Sequence, residues 1–587
     1  MNLNQFLRRV DSLTEKLSKE ELADVIRRLG NIWPESERQK FLGYLENNRE
    51  RAAEPDQDIR RTLEEVEQKL DLIEEEELCL DSEMNEEYDD WYNSEEDEFY
   101  FHDPEHVTEA VEDAFGMVHR LMGCEMYEEA YELSKRLMEL QVRVDGDYGD
   151  YAAPYMNWRE LESENLISIP NDQFLREMMY AAYRILPLKE RVPALFRIMK
   201  EGIGSKASLE TVMQAGGGRL PQLEEFLEEW TEYLGKQDGK LAGNLLKEAL
   251  EFQDDSEKTL KSAGRFADKH PELYEEILQK GKEEGRDEEM LQIGLQALQT
   301  IRPDYEARSR IALQTAEYAL SMGNQDTAEF CWLEAFRSDP SLVNFLRLMR
   351  ESRDFEPDRE KVREIYLECR RSSSSGSMSM ADYDKPGKRN LTSNTYFALE
   401  FFSGHFDEVI SEGMDTSEAL GWSFTFMKEG IALFLLTLNQ GERLLAGCQA
   451  MCEKITGSFS FDSEKYSEGL LRPTDPDSNR LFMECLNQWK KGLSLSQDQQ
   501  DKMMKRLEKW IEKRVEGIMG ANRRNYYGEC AAFIAALGEV KESRGELNGK
   551  EKLMEAYKDA YSRRRAFHEE LRRFGMIDTR KSAVSKS

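Results

Sequence analysis

Apolar residues recur at spacings of three and four through almost the whole of this sequence, and only 15 prolines interrupt them. That period matches the turn of an α-helix, and it commits the chain to burying one stripe of each helix against its neighbours. Period-2 runs rich in Val, Ile and Thr are scarce, so the predicted fold class is all-α. The opening residues show the grammar. Ser18 precedes Lys19-Glu20-Glu21 as an N-cap with Glu at N3, Leu22, Val25, Ile26 and Leu29 then share one face, and Gly30 closes the helix. Pro34 opens the next helix, predicted to run to Leu45.

Length turns this pattern into a statement about architecture. Single cores stop growing near ~250–300 residues, and the chain has 587, so several domains or a repeat array is required. In the stretch 309–342, Gly323, Ala328, Trp332, Ala335 and Pro340 fall at the spacing of a tetratricopeptide hairpin. Each residue type suits its position. Gly323 permits the tight turn, and Ala328 and Ala335 let two antiparallel helices approach. Trp332 fills the gap to the next hairpin, and Pro340 stops the second helix. The match departs from that family where a large aromatic is usual: Ala319 stands there, with Tyr318 one place earlier. Weaker copies follow at Gly285–Ala297, at Gly404-His-Phe-Asp-Glu-Val-Ile410 and at Met126-Tyr-Glu-Glu-Ala130. The spacings vary, so the expected object is an irregular α-solenoid of tetratricopeptide-like helical hairpins.

Composition breaks suggest where the array divides. No Lys or Arg occurs between Leu70 and His119, while Asp and Glu number 20 there. Such self-repulsion disfavours packing, so 71–103 is expected to be a mobile acidic linker between an N-terminal helical unit, 1–70, and a helical-repeat body, 104–370. Its aromatics Trp91, Tyr92, Phe99 and Phe101 could serve as anchors on a cationic groove, either of a separate partner or of this chain's own Arg563–Arg573 helix. The Ser/Gly-rich stretch 371–390 is expected to be a flexible loop before a second body, 391–575, and a basic tail, 576–587.

The formal net charge is −37 at pH 7. A field of that sign repels phosphate, so nucleic acid is an unlikely partner unless a basic patch is segregated from the rest. No membrane association is expected, since the strongest apolar run, Gly430–Leu438, is half of the ~20 residues that a spanning helix needs. The N-terminus lacks an apolar stretch of signal-peptide length. The eight cysteines are scattered through a long chain, which points to reduced thiols and a cytoplasmic location.

The chemistry-bearing patterns are few. His102-Asp-Pro-Glu-His106 matches the H-x-x-E-H zinc signature, which needs both imidazoles on one helical face. Pro104 reads better as the first residue of a helix capped by Asp103, leaving His102 outside it, so no metal is expected. Cys448 and Cys452 lie one helical turn apart, but two thiols are half of a structural zinc site and read as core. None of the six histidines sits beside a nucleophile turn. No catalytic residues and no cofactor are expected, and the chain is read as not an enzyme.

The last segment alternates apolar and cationic residues on a helical wheel. Leu553, Tyr557, Ala560, Tyr561, Arg564, Phe567, Leu571 and Phe574 recur on one face, with Arg563, Arg565, Arg572 and Arg573 mostly elsewhere. This reads first as a capping helix and second as a surface for an acidic partner or RNA. Here the strings Tyr526–Leu537, Tyr561–Leu571, Gly404–Ile410 and Leu420–Ser423 resemble the helical-repeat region of bacterial proteins that carry a SWIM zinc finger; the finger's own Cys-x-Cys and Cys-x-His pairs are absent. The resemblance implies a helical-repeat interaction module. Scaffolding of another protein is therefore the leading expectation. A nucleic-acid-associated adaptor and a hydrolase with a dispersed site are the alternatives.

Overall fold

The computed structural model describes residues 3–39, 41–42, 56–84, 99–146, 154–202, 208–216, 220–373, 389, 391–415 and 419–577. These contain 28 α-helices and little strand. Among them no helix is long and apolar enough to cross a membrane. Two compact units result, Met1–Lys258 and Thr259–Ser587. The boundary that composition suggested, 371–390, falls inside the second; its residues 374–388 and 390 lie outside the described residues.

In the first unit, the helix Asp56–Glu74 buries Ile59, Leu63, Val66, Leu70 and Ile73. This stripe runs through residue 70, so the chain does not break there. Arg136 from the helix Tyr127–Glu139 fixes its end by pairing with Asp71 at 2.6 Å and Glu74 at 2.8 Å.

A four-stranded sheet follows, which the helical period did not foretell. Its strands are β1 (Leu80–Met84), β2 (Phe99–His102), β3 (Gln141–Gly146) and β4 (Tyr155–Asn157), in the order β2-β1-β3-β4. β1 pairs antiparallel with β2 and parallel with β3. The flanks of the expected acidic linker are thus strands, while Trp91 and Tyr92 lie outside the described residues. Ladder bonds and the burial of Leu80, Val142 and Val144 offset the charge of a short strand that composition alone would leave unpaired.

The helix after β2 starts at Val107, three residues later than Pro104. Asp103 still serves it: its carboxylate accepts from the Val107 and Thr108 amides at 2.7 and 2.9 Å, across the intervening Pro104–Glu105 turn. Deeper in the unit, Phe115, Trp158 and Phe174 form an edge-to-face cluster.

The second unit begins its hairpins with helices Leu273–Glu284 and Asp287–Thr300, turned by Gly285, and continues with Ala307–Ser321 and Gln325–Ser338. Gly323 takes φ +71° in the second turn, a conformation that costs glycine little. Ala328 and Ala335 are fully buried between the helices, Asn324 caps the second by accepting from Thr327 N, and the helix stops two residues before Pro340. At the weaker copy, Gly404 does make the turn, with φ +87°. The helix that follows is a single turn, Phe406–Glu408, passing into a π-turn over Val409–Gly413.

Beyond it, Met427–Leu438, Ala446–Ser458 and Tyr527–Ser543 form an apolar centre. Gly447 lets two of these helices nearly touch: a Cβ there would lie 2.3 Å from Ala536 N. The N-terminus of Ala446–Ser458 is held by Glu539, which accepts from Gly447 N and Cys448 N at 2.9 and 2.7 Å and pairs with Lys550 at 2.6 Å.

Candidate functional site

One face of the helical hairpins of the second unit carries both a cleft and a segment of polypeptide laid against it. Helices Leu273–Glu284 and Ala307–Ser321 present Glu275, Gln279, Lys282, Arg310, Gln314, Glu317 and Tyr318 around a cleft of about 210 Å³, with Glu468 at one side. Its walls are pinned by ion pairs, Arg310–Glu275 at 2.9 Å and Lys282–Glu317 at 2.5 Å. The Tyr318 hydroxyl donates to Leu278 O at 2.5 Å. Tyr318 is the aromatic displaced by one place from the repeat pattern, and from that place it ties one hairpin to the preceding one. Burial pushes its hydroxyl up to about 12, so it is a donor at neutral pH. The Gln314 Oε1 atom is buried with no hydrogen-bond partner among the described residues.

Next to this cleft the chain itself passes as a short helix, Ser463–Ser467, and a turn through Gly469. Side chains of the hairpins read its main chain. Trp332 Nε1 donates to Gly469 O at 2.9 Å, and Glu317 Oε1 accepts from Gly469 N at 3.2 Å. Arg347, on the helix Leu342–Glu351, donates to Tyr466 O at 3.0 Å and also to Lys465 O and Asn344 Oδ1. Burial draws the Arg347 guanidinium down to about 10, so it stays protonated at neutral pH and compensates carbonyls at the end of a short helix. Tyr466 is fully buried, and its hydroxyl donates to Glu351 at 2.9 Å. Burial and the nearby cysteine and carboxylate hold that hydroxyl far above the usual phenol range. Trp332, expected as a gap filler, also holds the chain's own main chain at Gly469 through its ring nitrogen.

The other residues singled out by sequence are dispersed. Phe99 and Phe101 lie in β2, with Phe101 half-buried. Arg563, Arg565, Arg572 and Arg573 are exposed around the helix Arg565–Arg573, and only Arg573 makes an ion pair among the described residues, with Glu570 at 2.9 Å. The buried face of that helix is Phe567, His568 and Leu571. Arg564, which helical spacing groups with Phe567 and Leu571 rather than with the other arginines, anchors the segment by donating to Asn522 Oδ1 at 2.5 Å and Met519 O at 3.0 Å.

His102 ends a strand and His106 precedes a helix, so the two imidazoles sit on separate elements. Cys448 and Cys452 are both buried, and burial raises both thiols, Cys452 to about 12. Thiolate chemistry is suppressed at either position.

Comparison with known proteins gives no assignment. The chain matches no protein-family model and no curated protein sequence.

Proposed function

We propose that this chain is a non-enzymatic helical-repeat scaffold that holds another protein, as an irregular solenoid of tetratricopeptide-like hairpins working in the cytoplasm. The observation that carries this reading is the treatment of residues 465–469. Trp332, Arg347 and Glu317 hold main-chain atoms of a segment outside the hairpins, beside a cleft whose charged rim surrounds Leu278 and Leu313. Side chains that read backbone accept polypeptide with little regard to sequence, while the charged rim of the cleft supplies selection. A net charge of −37 favours a partner with a basic segment. The resemblance of Tyr526–Leu537 and Tyr561–Leu571 to helical-repeat regions of SWIM-associated proteins points the same way.

A second reading, an adaptor on nucleic acid, draws on Arg563, Arg565 and Arg572, which are exposed with no ion pair among the described residues.

Affinity purification from the native host tests both. A protein partner is expected to copurify with the full chain and to be lost from a Gln279→Arg, Glu468→Lys variant whose circular dichroism is unchanged. Retention of the partner by that variant removes the cleft from the argument. Nuclease-sensitive recovery that disappears in an Arg563→Glu, Arg565→Glu, Arg572→Glu variant transfers the function to nucleic acid.

A further inference from the structure

The cleft between the helices Leu273–Glu284 and Ala307–Ser321 holds more acceptors than its own donors satisfy. Three carboxylates, Glu275, Glu317 and Glu468, line it together with two cations, Lys282 and Arg310. Both cations are already engaged. Arg310 meets the two oxygens of Glu275 at 2.9 Å each, and Lys282 lies 2.5 Å from Glu317, whose other oxygen accepts from Gly469 N. Glu468 makes no ion pair and no side-chain hydrogen bond among the described residues. The other four charges cancel pair by pair, so Glu468 sets the sign of the cleft.

Gln314 supplies a second open acceptor. Its Oε1 atom is buried without a hydrogen-bond partner among the described residues, an arrangement that costs free energy until a donor arrives. Partial burial also raises the Glu468 carboxyl above its ordinary value, and the charges of Arg347 and Arg310 only reduce that rise. A further cation beside it would favour the ionised form. Leu278 and Leu313, both buried, give the cleft its apolar part.

Size limits what such a cation belongs to. The cleft's volume of about 210 Å³ is below the ~300–1,000 Å³ of sites that enclose a whole small molecule, so it suits one inserted side chain. Arginine fits the lining in three respects. Its methylene stem packs on apolar surface, its planar head carries donors enough for a carboxylate and an amide oxygen together, and a guanidinium is more weakly hydrated than an ammonium.

We propose that the cleft is a socket for one arginine side chain of a partner polypeptide, with Glu468 and Gln314 Oε1 as acceptors for the guanidinium and Leu278 and Leu313 as the surface for its stem. This rests on the scaffold reading above and names the residue that the scaffold selects.

Saturation-transfer difference NMR with the full chain and the blocked tripeptide acetyl-Gly-Arg-Gly-amide tests it. One side chain is expected to bind with a Kd on the order of 1 mM, with saturation reaching the arginine methylenes. The citrulline tripeptide, similar in shape but uncharged, should bind at least ~10-fold more weakly, and the lysine tripeptide at least ~3-fold more weakly. Glu468→Gln and Gln314→Leu should each weaken arginine binding by at least ~5-fold. Glu468 is exposed, so its variant tests the socket even where Gln314→Leu disturbs the helix. Equal binding of the arginine and citrulline tripeptides, preference for an aspartate tripeptide, or arginine binding indifferent to Glu468→Gln overturns the proposal. A copurifying protein that is lost from the Gln279→Arg, Glu468→Lys variant but is not displaced by the arginine tripeptide overturns the socket and leaves the scaffold standing. Arginine binding with no copurifying protein supports the socket and overturns the scaffold.

Discussion

The indole nitrogen of Trp332 donates to the main-chain oxygen of Gly469 at 2.9 Å, across 137 residues of sequence. The approach is close on both sides, since Gly469 has φ +76° and a Cβ there would lie 3.0–3.3 Å from Leu313. One bond therefore links the second helix of a hairpin to the segment between two later helices. Trp332→Phe keeps most of the ring and removes the donor, leaving a buried carbonyl unpaired. The expected loss is about 1–3 kcal/mol, read as a lower urea midpoint of the second unit's transition. Trp332→Ala should cost about 3–5 kcal/mol. Equal midpoints for Trp332→Phe and wild type would show that the bond adds nothing.

Gly447 and Gly457 occupy the same helix and predict opposite outcomes. Alanine at 457 meets open space and should stabilise by up to about 1 kcal/mol through helix propensity. Alanine at 447 would drive its methyl into the Ala535–Ala536 backbone. It must separate two helices and weaken the Glu539 cap, an expected loss of about 1–3 kcal/mol from overpacking alone. Paired denaturation curves decide it, and a shift of the same sign in both variants would contradict this geometry.

What the sequence disclosed, and what it concealed, follows from the range of each interaction. The hairpin at Gly323, Ala328, Ala335 and Pro340 is legible because turn, close approach and helix stop are local demands. The bond partner of Trp332 is not local, and no pattern within 309–342 points to Gly469. The sheet escapes the helical period because its strands are three to six residues long and β1 is acidic; only Val142 and Val144, alternating with polar neighbours, hinted at it. The stripe of Leu22, Val25, Ile26 and Leu29 was readable as a face, but a face does not say what it meets, and the described chain leaves it largely open. At the C-terminus the wheel set Arg564 with the apolar residues and apart from the other arginines, but it could not name its acceptors, which lie in a preceding turn.

That last contrast gives a direct comparison. Arg565→Glu and Arg572→Glu alter exposed positions without ion pairs among the described residues, and each should leave stability within about ±0.5 kcal/mol. Arg564→Ala removes bonds to Asn522 and Met519 and should cost about 1–3 kcal/mol. Thermal melts of the three variants separate a recognition surface from an anchor.

Glu248 gives the first unit a pH dependence with a definite sign. Its two oxygens accept from the Leu209 and Glu210 amides at 2.8 and 3.0 Å, closing the N-terminus of the helix Leu209–Gly216. Burial outweighs both bonds and pushes the carboxyl from 4.5 up to about 7. Between those values the folded chain holds a proton that the unfolded chain releases. The contribution of this group is therefore fully present below pH 4.5 and is lost as pH rises through 7. Glu248→Gln keeps an acceptor for one amide and cannot titrate. Relative to that variant, wild-type stability should fall by on the order of 1–3 kcal/mol between pH 4.5 and 7.5, measured as the difference in urea midpoints for the first unit's transition. A difference that stays flat, or that rises with pH, would mean that the two amide bonds dominate and that the helix end is held by a charged carboxylate at every pH in the window.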